Sequence, residues 1–188
     1  MKKYHIIYAD PPWYYNDRKK NTKFGAGVHG HYPVMKAKDI KDIDVASISE
    51  DNSVLFMWAT FPRLPQALQV IEAWGFTYKT LGFSWHKLTR DGKLFFGVGA
   101  YAKSNCEVCL MATKGNVGIL RGEIPDPKDK LVVRSNYVSS AINAQRDRHS
   151  KKPDEIRNRI VELFGDVSRI ELFARQQTPG WDTWGNEV

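Results

Sequence analysis

At 188 residues, 42% hydrophobic and 26% charged, the chain has enough length and apolar content for one domain with a substantial core, which excludes a disordered chain. No run approaches the roughly 20 apolar residues of a membrane-spanning helix, and the first residues enter a strand without a secretory signal pattern; a cytoplasmic protein with no membrane partner is expected. The net charge of +7 favours a polyanionic partner.

The apolar run Tyr4–Ala9 reads as the first strand and ends directly on Asp10-Pro11-Pro12-Trp13. Asp10 can accept a hydrogen bond from an amine. The prolines fix φ and lack N–H groups, which leaves local carbonyls free to accept, and an exposed Trp13 offers a flat face for stacking. This set suits a planar, amine-bearing heterocycle such as a flipped nucleobase. A polar stretch follows to about Pro33, containing Arg18, Lys19, Lys20 and Lys23 and the flexible Gly25-Ala26-Gly27. Loops of that length in compact domains are functional or disordered.

Ser53–Ala59 is continuously apolar, the mark of a strand covered on both faces. Leu64, Leu68, Ile71 and Trp74 recur at helical spacing and Gly75 closes them. Leu81–Leu88 and Ala102–Thr113 read as two antiparallel strands joined through Asp91-Gly92 and Gly97–Gly99. Cys106 and Cys109 fall in the second at an odd offset, so their side chains point to opposite faces and neither a disulfide nor a shared metal is expected. His29-Gly30-His31 has no evident further ligand, and no metal is expected. Lys114–Ser150 is polar and reads as loop. Pro153-Asp154-Glu155 opens a helix lined by Ile156, Ile160, Leu163 and Phe164 and ended by Gly165, and Arg169–Ala174 returns as a strand. The order implies an α/β fold, mostly parallel with an antiparallel strand, in a single domain over residues 1–188. Gly180–Val188, with two tryptophans, reads as a docked tail.

Lys152 stands at the start of that last helix, where a cation opposes the dipole unless it meets an anion. A second basic group comprises Arg134, Arg146, Arg148, Lys151 and Lys152; with the first it suggests a phosphate-binding groove.

Three segments in this order carry a resemblance: Ala9-Asp10-Pro11-Pro12-Trp13, Ser150–Ile156, and Ile170–Arg175 followed by Gly180-Trp181 and Gly185-Asn186-Glu187. Over nearly its whole length the chain resembles the Asp-Pro-Pro-Trp amino-methyltransferases. That family contains the catalytic subunit of the eukaryotic messenger-RNA adenine methyltransferase and bacterial and phage DNA adenine methyltransferases. The resemblance implies a Rossmann-like, S-adenosylmethionine-dependent fold, permuted so that the catalytic turn precedes the cofactor strand. It implies transfer of methyl to N6 of adenine, with Asp10, Pro11, Pro12 and Trp13 as the catalytic set. It places the cofactor against Asp10, Lys152, Arg175, Gln177, Asn186 and Glu187, with Lys152 on the methionine carboxylate. Where relatives often carry His-Asn, this chain has Gln176-Gln177-Thr178. The compact length resembles the DNA-modifying members, so DNA is the expected partner of a monomer or homodimer. An RNA substrate is the alternative, followed by an inactive nucleic-acid-binding subunit. A nicotinamide oxidoreductase would need a glycine fingerprint between strand and helix, and Gly25-Ala26-Gly27 lacks that context.

Overall fold

Tyr4–Ala9 forms β1, buried on both faces as its unbroken apolar run requires. The computed structural model describes residues 1–15, 34–97, 101–119, 130–135, 137–147, 151–185 and 188. Within them follow α1 (Ala37–Lys41), β2 (Ser49–Ala59), α2 (Leu64–Ala73), β3 (Thr77–Leu88), β4 (Cys106–Lys114), β5 (Val117–Ile119), β6 (Leu131–Val133), β7 (Ala141–Gln145), α3 (Glu155–Phe164), β8 (Arg169–Leu172) and β9 (Asp182–Trp184).

Seven of the described strands make one sheet in the order β7-β3-β4-β2-β1-β8-β9, and β5 and β6 pair separately. Neighbours in the large sheet are parallel except that β4 runs antiparallel to both β2 and β3. The predicted mostly parallel sheet with one reversed strand is therefore observed. Period-two alternation sends Ile7, Ala9, Leu55 and Met57 to one core with Ala67, Val70 and Ile71 of α2 and Trp74 just beyond it. Ile6, Tyr8, Phe56 and Trp58 go to a second core with Ile156, Ile160 and Phe164 of α3. Helices thus cover both faces, as parallel sheets demand.

α2 and α3 end on Gly75 (φ +81) and Gly165 (φ +76), as read from the sequence. Leu68, expected on the buried face of α2, is instead exposed, because Ala67, Val70 and Ile71 already define the face turned to the sheet. The reading of Lys114–Ser150 as loop is corrected by β5, β6 and β7. Their runs of three to five residues fall at the lower limit of what alternation can reveal. β4 begins at Cys106 rather than Ala102. Both cysteines are free, Cys109 inside the second core and Cys106 partly exposed. The expected docked tail is β9, laid parallel to β8 in register Ile170↔Asp182, with Trp181 buried edge-on against Tyr8 at 5.9 Å.

Candidate active site at the carboxyl edge of the sheet

β1 pairs with β2 on one side and β8 on the other, both parallel, so the chain leaves it in one direction and returns in the other. The carboxyl end of such a strand is the switch point at which open α/β sheets bind ligands. Asp10 is the first residue beyond it, and its N–H still points at Leu172 O, 3.4 Å away.

Strand parity decides what Asp10 meets. It lies two residues past Tyr8, on the α3 face of the sheet. On that same face Lys87 lies two past Trp85, and Glu107 two before Cys109. The start of α3 lowers Lys152 onto this row. Its Nζ donates to both Asp10 carboxylate oxygens at 2.8 Å, lies 3.3 Å from Glu107 Oε2, and sits 5.4 Å above the Trp58 ring. Lys87 Nζ donates to the other Glu107 oxygen. The result is an alternating row, Lys87–Glu107–Lys152–Asp10, with balanced formal charge and side chains 9–16% exposed.

Burial alone would push the Glu107 carboxyl up, but Lys152 and Lys87 outweigh it and hold the group below the usual carboxylate range. Burial would likewise lower Lys152; Asp10 and Glu107 reverse the effect and raise it, so the ammonium stays charged. The Cys109 thiol is pushed up by burial and by the Asp10 charge, and remains protonated.

Two expectations for the Asp-Pro-Pro-Trp turn are corrected. Its proline carbonyls are not left free: Pro11 O accepts the Trp13 N–H (2.9 Å) and Pro12 O that of Met35 (2.8 Å). Each keeps a second lone pair. Nor is Trp13 an exposed platform. It is buried in the α2-side core, and its Nε1 donates to Trp58 O at 3.0 Å. A large aromatic with one donor is best satisfied by an apolar cavity closed by one carbonyl, and β2 supplies both. The exposed aromatic next to the turn is Tyr14; Tyr15 is partly buried, its hydroxyl 2.5 Å from Thr60 Oγ1.

Lys152 already has anions within the protein. Asp10, 142 residues away, and Glu107 are both within reach of its ammonium. Beside it a hollow is lined by Asp10, Lys151, Lys152, Arg157, Glu171, Phe173, Arg175 and Gln176. Arg157 and Glu171 form a buried two-pronged pair, both contacts at 2.7 Å, which pins α3 to β8 under the hollow. Gln176 Nε2 reaches Asp154 Oδ1 at 3.2 Å, which ties the loop after β8 to the start of α3. At that loop's start, Phe173 has φ +61, a left-handed conformation unusual for a bulky residue, and packs edge-on against Trp184 at 5.4 Å. Strain of this kind gathers at ligand-handling sites. Gly185 closes the far side: a Cβ there would come within 2.4 Å of Ala174 O.

The predicted residues divide accordingly. Asp10, Pro11, Lys152 and Arg175 gather at this edge, and Gln177 is exposed on the loop after β8. Arg146 follows β7 at the same edge, 4.3 Å from the Phe95 ring. Arg134 does not join them: its Nε donates to Phe164 O at 3.3 Å, at the carboxyl end of α3 and the opposite edge of the sheet. That placement suits a cation at a helix C-terminus. Arg18, Lys19, Lys20, Lys23, Arg148, Asn186 and Glu187 lie outside the described residues. Sequence reading missed Lys87, Glu107, Arg157 and Glu171. For Glu107 a signal existed, one carboxylate inside an otherwise apolar strand that must be buried.

A reversed strand within a parallel sheet, helices on both faces, and an Asp-Pro-Pro-Trp turn at the switch point together define an α/β methyltransferase fold. The chain belongs to the MT-A70 family, whose model matches residues 4–187. It is 35% identical over its full length to the type II methyltransferase M.MunI of Mycoplasma sp, 78% of which it covers. It is 25% identical to the human N(6)-adenine-specific methyltransferase METTL4, again over the full chain but 38% of that protein. To the N(6)-adenosine-methyltransferase MT-A70-like protein of Arabidopsis thaliana it is 24% identical over 97% of its length, and it covers 23% of that protein.

Proposed function

We propose that this protein transfers a methyl group from S-adenosylmethionine to the exocyclic N6 of adenine in DNA. The observation that carries the reading is Asp10, an ionic carboxylate fixed at the switch point by a buried lysine. The relative at 35% identity is a type II methyltransferase, a DNA-modifying class, and this favours DNA. RNA is the second reading, because a relative 24% identical over 98% of the chain is named an N6-methyladenosine RNA methyltransferase, in Pyricularia oryzae.

The donor set fits this cofactor. Asp10 is a carboxylate for an ammonium, while Lys151 and Lys152 are cations for a carboxylate; all three line one small hollow of about 20 Å³, which suits the charged amino-acid end of the cofactor alone. For Lys152 to serve the methionine carboxylate it would loosen one of its present carboxylate partners. Arg175 and Asn186 are the proposed ribose contacts, with Glu187 beside them, and Gln177 completes the proposed cofactor set. When bound, the cofactor supplies a methyl group on a positively charged sulfur.

The adenine amine is a weak nucleophile because its lone pair is delocalised into the ring. A group that accepts its hydrogens draws the nitrogen toward tetrahedral geometry and frees that pair. Asp10 can accept while paired with Lys152, since a carboxylate offers about four lone-pair sites. The free lone pair of Pro11 O is the second acceptor. Because the Asp10–Lys152 contact is preformed and largely buried, the acceptor is oriented before charge shifts. With Trp13 in the core, stacking on the base falls to Tyr14.

The test is incubation with isotopically labelled S-adenosylmethionine and matched DNA and RNA, each single- and double-stranded, followed by nucleoside analysis. Label in N6-methyldeoxyadenosine is expected. Asp10→Ala should lower transfer at least about a hundredfold and also weaken calorimetric binding of S-adenosylmethionine, whose ammonium loses its carboxylate and whose partner Lys152 loses its anchor. Retained turnover in that variant would overturn the role of Asp10.

A further inference from the structure

The β3–β4 connection rises from the same edge of the sheet as Asp10, because β3 runs parallel to β1 and its carboxyl end carries the connection. Its base is Lys87 and Glu107, the outer half of the charge row. It is tightly made. Lys93 N–H bonds back to Thr89 Oγ1 at 3.1 Å round Gly92 (φ +78), Phe95 N–H to Lys87 O at 2.8 Å, and Gly97 N–H to Ser104 O at 2.7 Å. The end of β7 braces it: Arg146 N–H donates to Leu88 O at 3.1 Å and its guanidinium lies 4.3 Å from the Phe95 ring.

This connection also carries two large aromatics turned to solvent, Phe96 at 68% exposure and Tyr101 fully exposed. The same connection carries the exposed cations Arg90, Lys93 and Lys103, and the residue after β7 adds the exposed Arg146. The one carboxylate of the described part of the connection, Asp91, is paired with Lys93 at 3.1 Å. Aromatic faces among cations next to a base-handling site are the composition that grips single-stranded nucleic acid: rings stack on bases of any sequence and cations follow the phosphates. An interface between copies of this chain would be expected to carry fewer charges at its centre.

We propose that this connection is a nucleic-acid-binding lip, on which Phe96 and Tyr101 stack with unpaired bases beside the reacting adenine while Arg90, Lys93, Lys103 and Arg146 meet the phosphates. It rests on the reading of the Asp10 site as acting on a nucleic acid. Its test is a binding measurement, so the two can fail separately. Fluorescence anisotropy with a labelled single-stranded 20-mer should show affinity falling at least about tenfold in Phe96→Ala/Tyr101→Ala, with the salt dependence unchanged. Arg90→Ala/Lys103→Ala should instead flatten the slope of log affinity against log salt by about 0.7 per cation. Calorimetric binding of S-adenosylmethionine, equal in all variants, reports that the fold is intact. Wild-type affinity in the aromatic variant would overturn the lip even if the wild type methylates DNA. So would loss of a dimer in sedimentation with nucleic-acid affinity unchanged, which would give the surface to a second copy. A wild type that neither binds nor methylates any nucleic acid would overturn both proposals.

Discussion

Replacing Glu107 by glutamine removes one charge from the middle of the row and keeps its shape. Glu107 is 8% exposed and has two lysine partners, so the variant strips a counter-charge from each of two buried or nearly buried ammonium groups. Breaking a buried pair by deleting one partner costs about 3–5 kcal/mol. Lys152 keeps Asp10, and the Lys87 side chain is 14% exposed, so we expect the lower end, about 3 kcal/mol at pH 7. For a domain of this size that is a fall in Tm of about 6–12 °C. The pH dependence distinguishes a charge effect from a packing effect. Because the folded Glu107 carboxyl is held below its ordinary value, its contribution is present above the unfolded pKa of about 4.3 and is lost as pH falls through the folded value. The raised Lys152 contributes below its unfolded pKa of about 10.4 and loses that contribution only as pH rises through its higher folded value. The stability gap between wild type and Glu107→Gln should therefore be flat from about pH 6 to pH 9 and shrink below about pH 4. Urea unfolding at pH 3.5, 7 and 9 measures it. A variant as stable as the wild type at pH 7, or a gap that persists undiminished in acid, would refute the reasoning.

Trp13→Phe should lower stability by about 1–3 kcal/mol through loss of the bond to Trp58 O, and leave oligonucleotide affinity within about twofold of wild type. A tenfold loss of affinity without a change in the unfolding midpoint would restore Trp13 as a stacking face. Lys152→Ala should raise the calorimetric dissociation constant for S-adenosylmethionine and also lower Tm, because it leaves Asp10 and Glu107 facing one another without their shared cation. Unchanged cofactor affinity in a folded variant would remove Lys152 from the cofactor site.

Much of the fold could be read before any coordinates, because local patterns report burial. The unbroken apolar runs of β1 and β2 announced strands covered on both faces, and Gly75 and Gly165 marked two helix ends. Short elements escaped, since three residues such as Val117–Ile119 carry too little alternation to stand out from loop. The site was half legible. Asp10 and Lys152 stood out as a carboxylate after a buried strand and a cation at the wrong helix end. Their pairing with each other did not.

The sequence by itself determined the layered α/β class, the turn at the end of β1 and the motif order that marks the family, since each depends on neighbours within a few residues. Tertiary structure alone decided which charges meet. Strand order and register put Lys87, Glu107 and Asp10 on one face under Lys152, sent Trp13 into the core rather than to solvent, and carried Arg134 to the far edge of the sheet. The physical reason is range: a hydrophobic pattern is satisfied locally, whereas a buried charge is satisfied only by whatever the completed sheet brings within 3 or 4 Å of it, here a partner 142 residues along the chain.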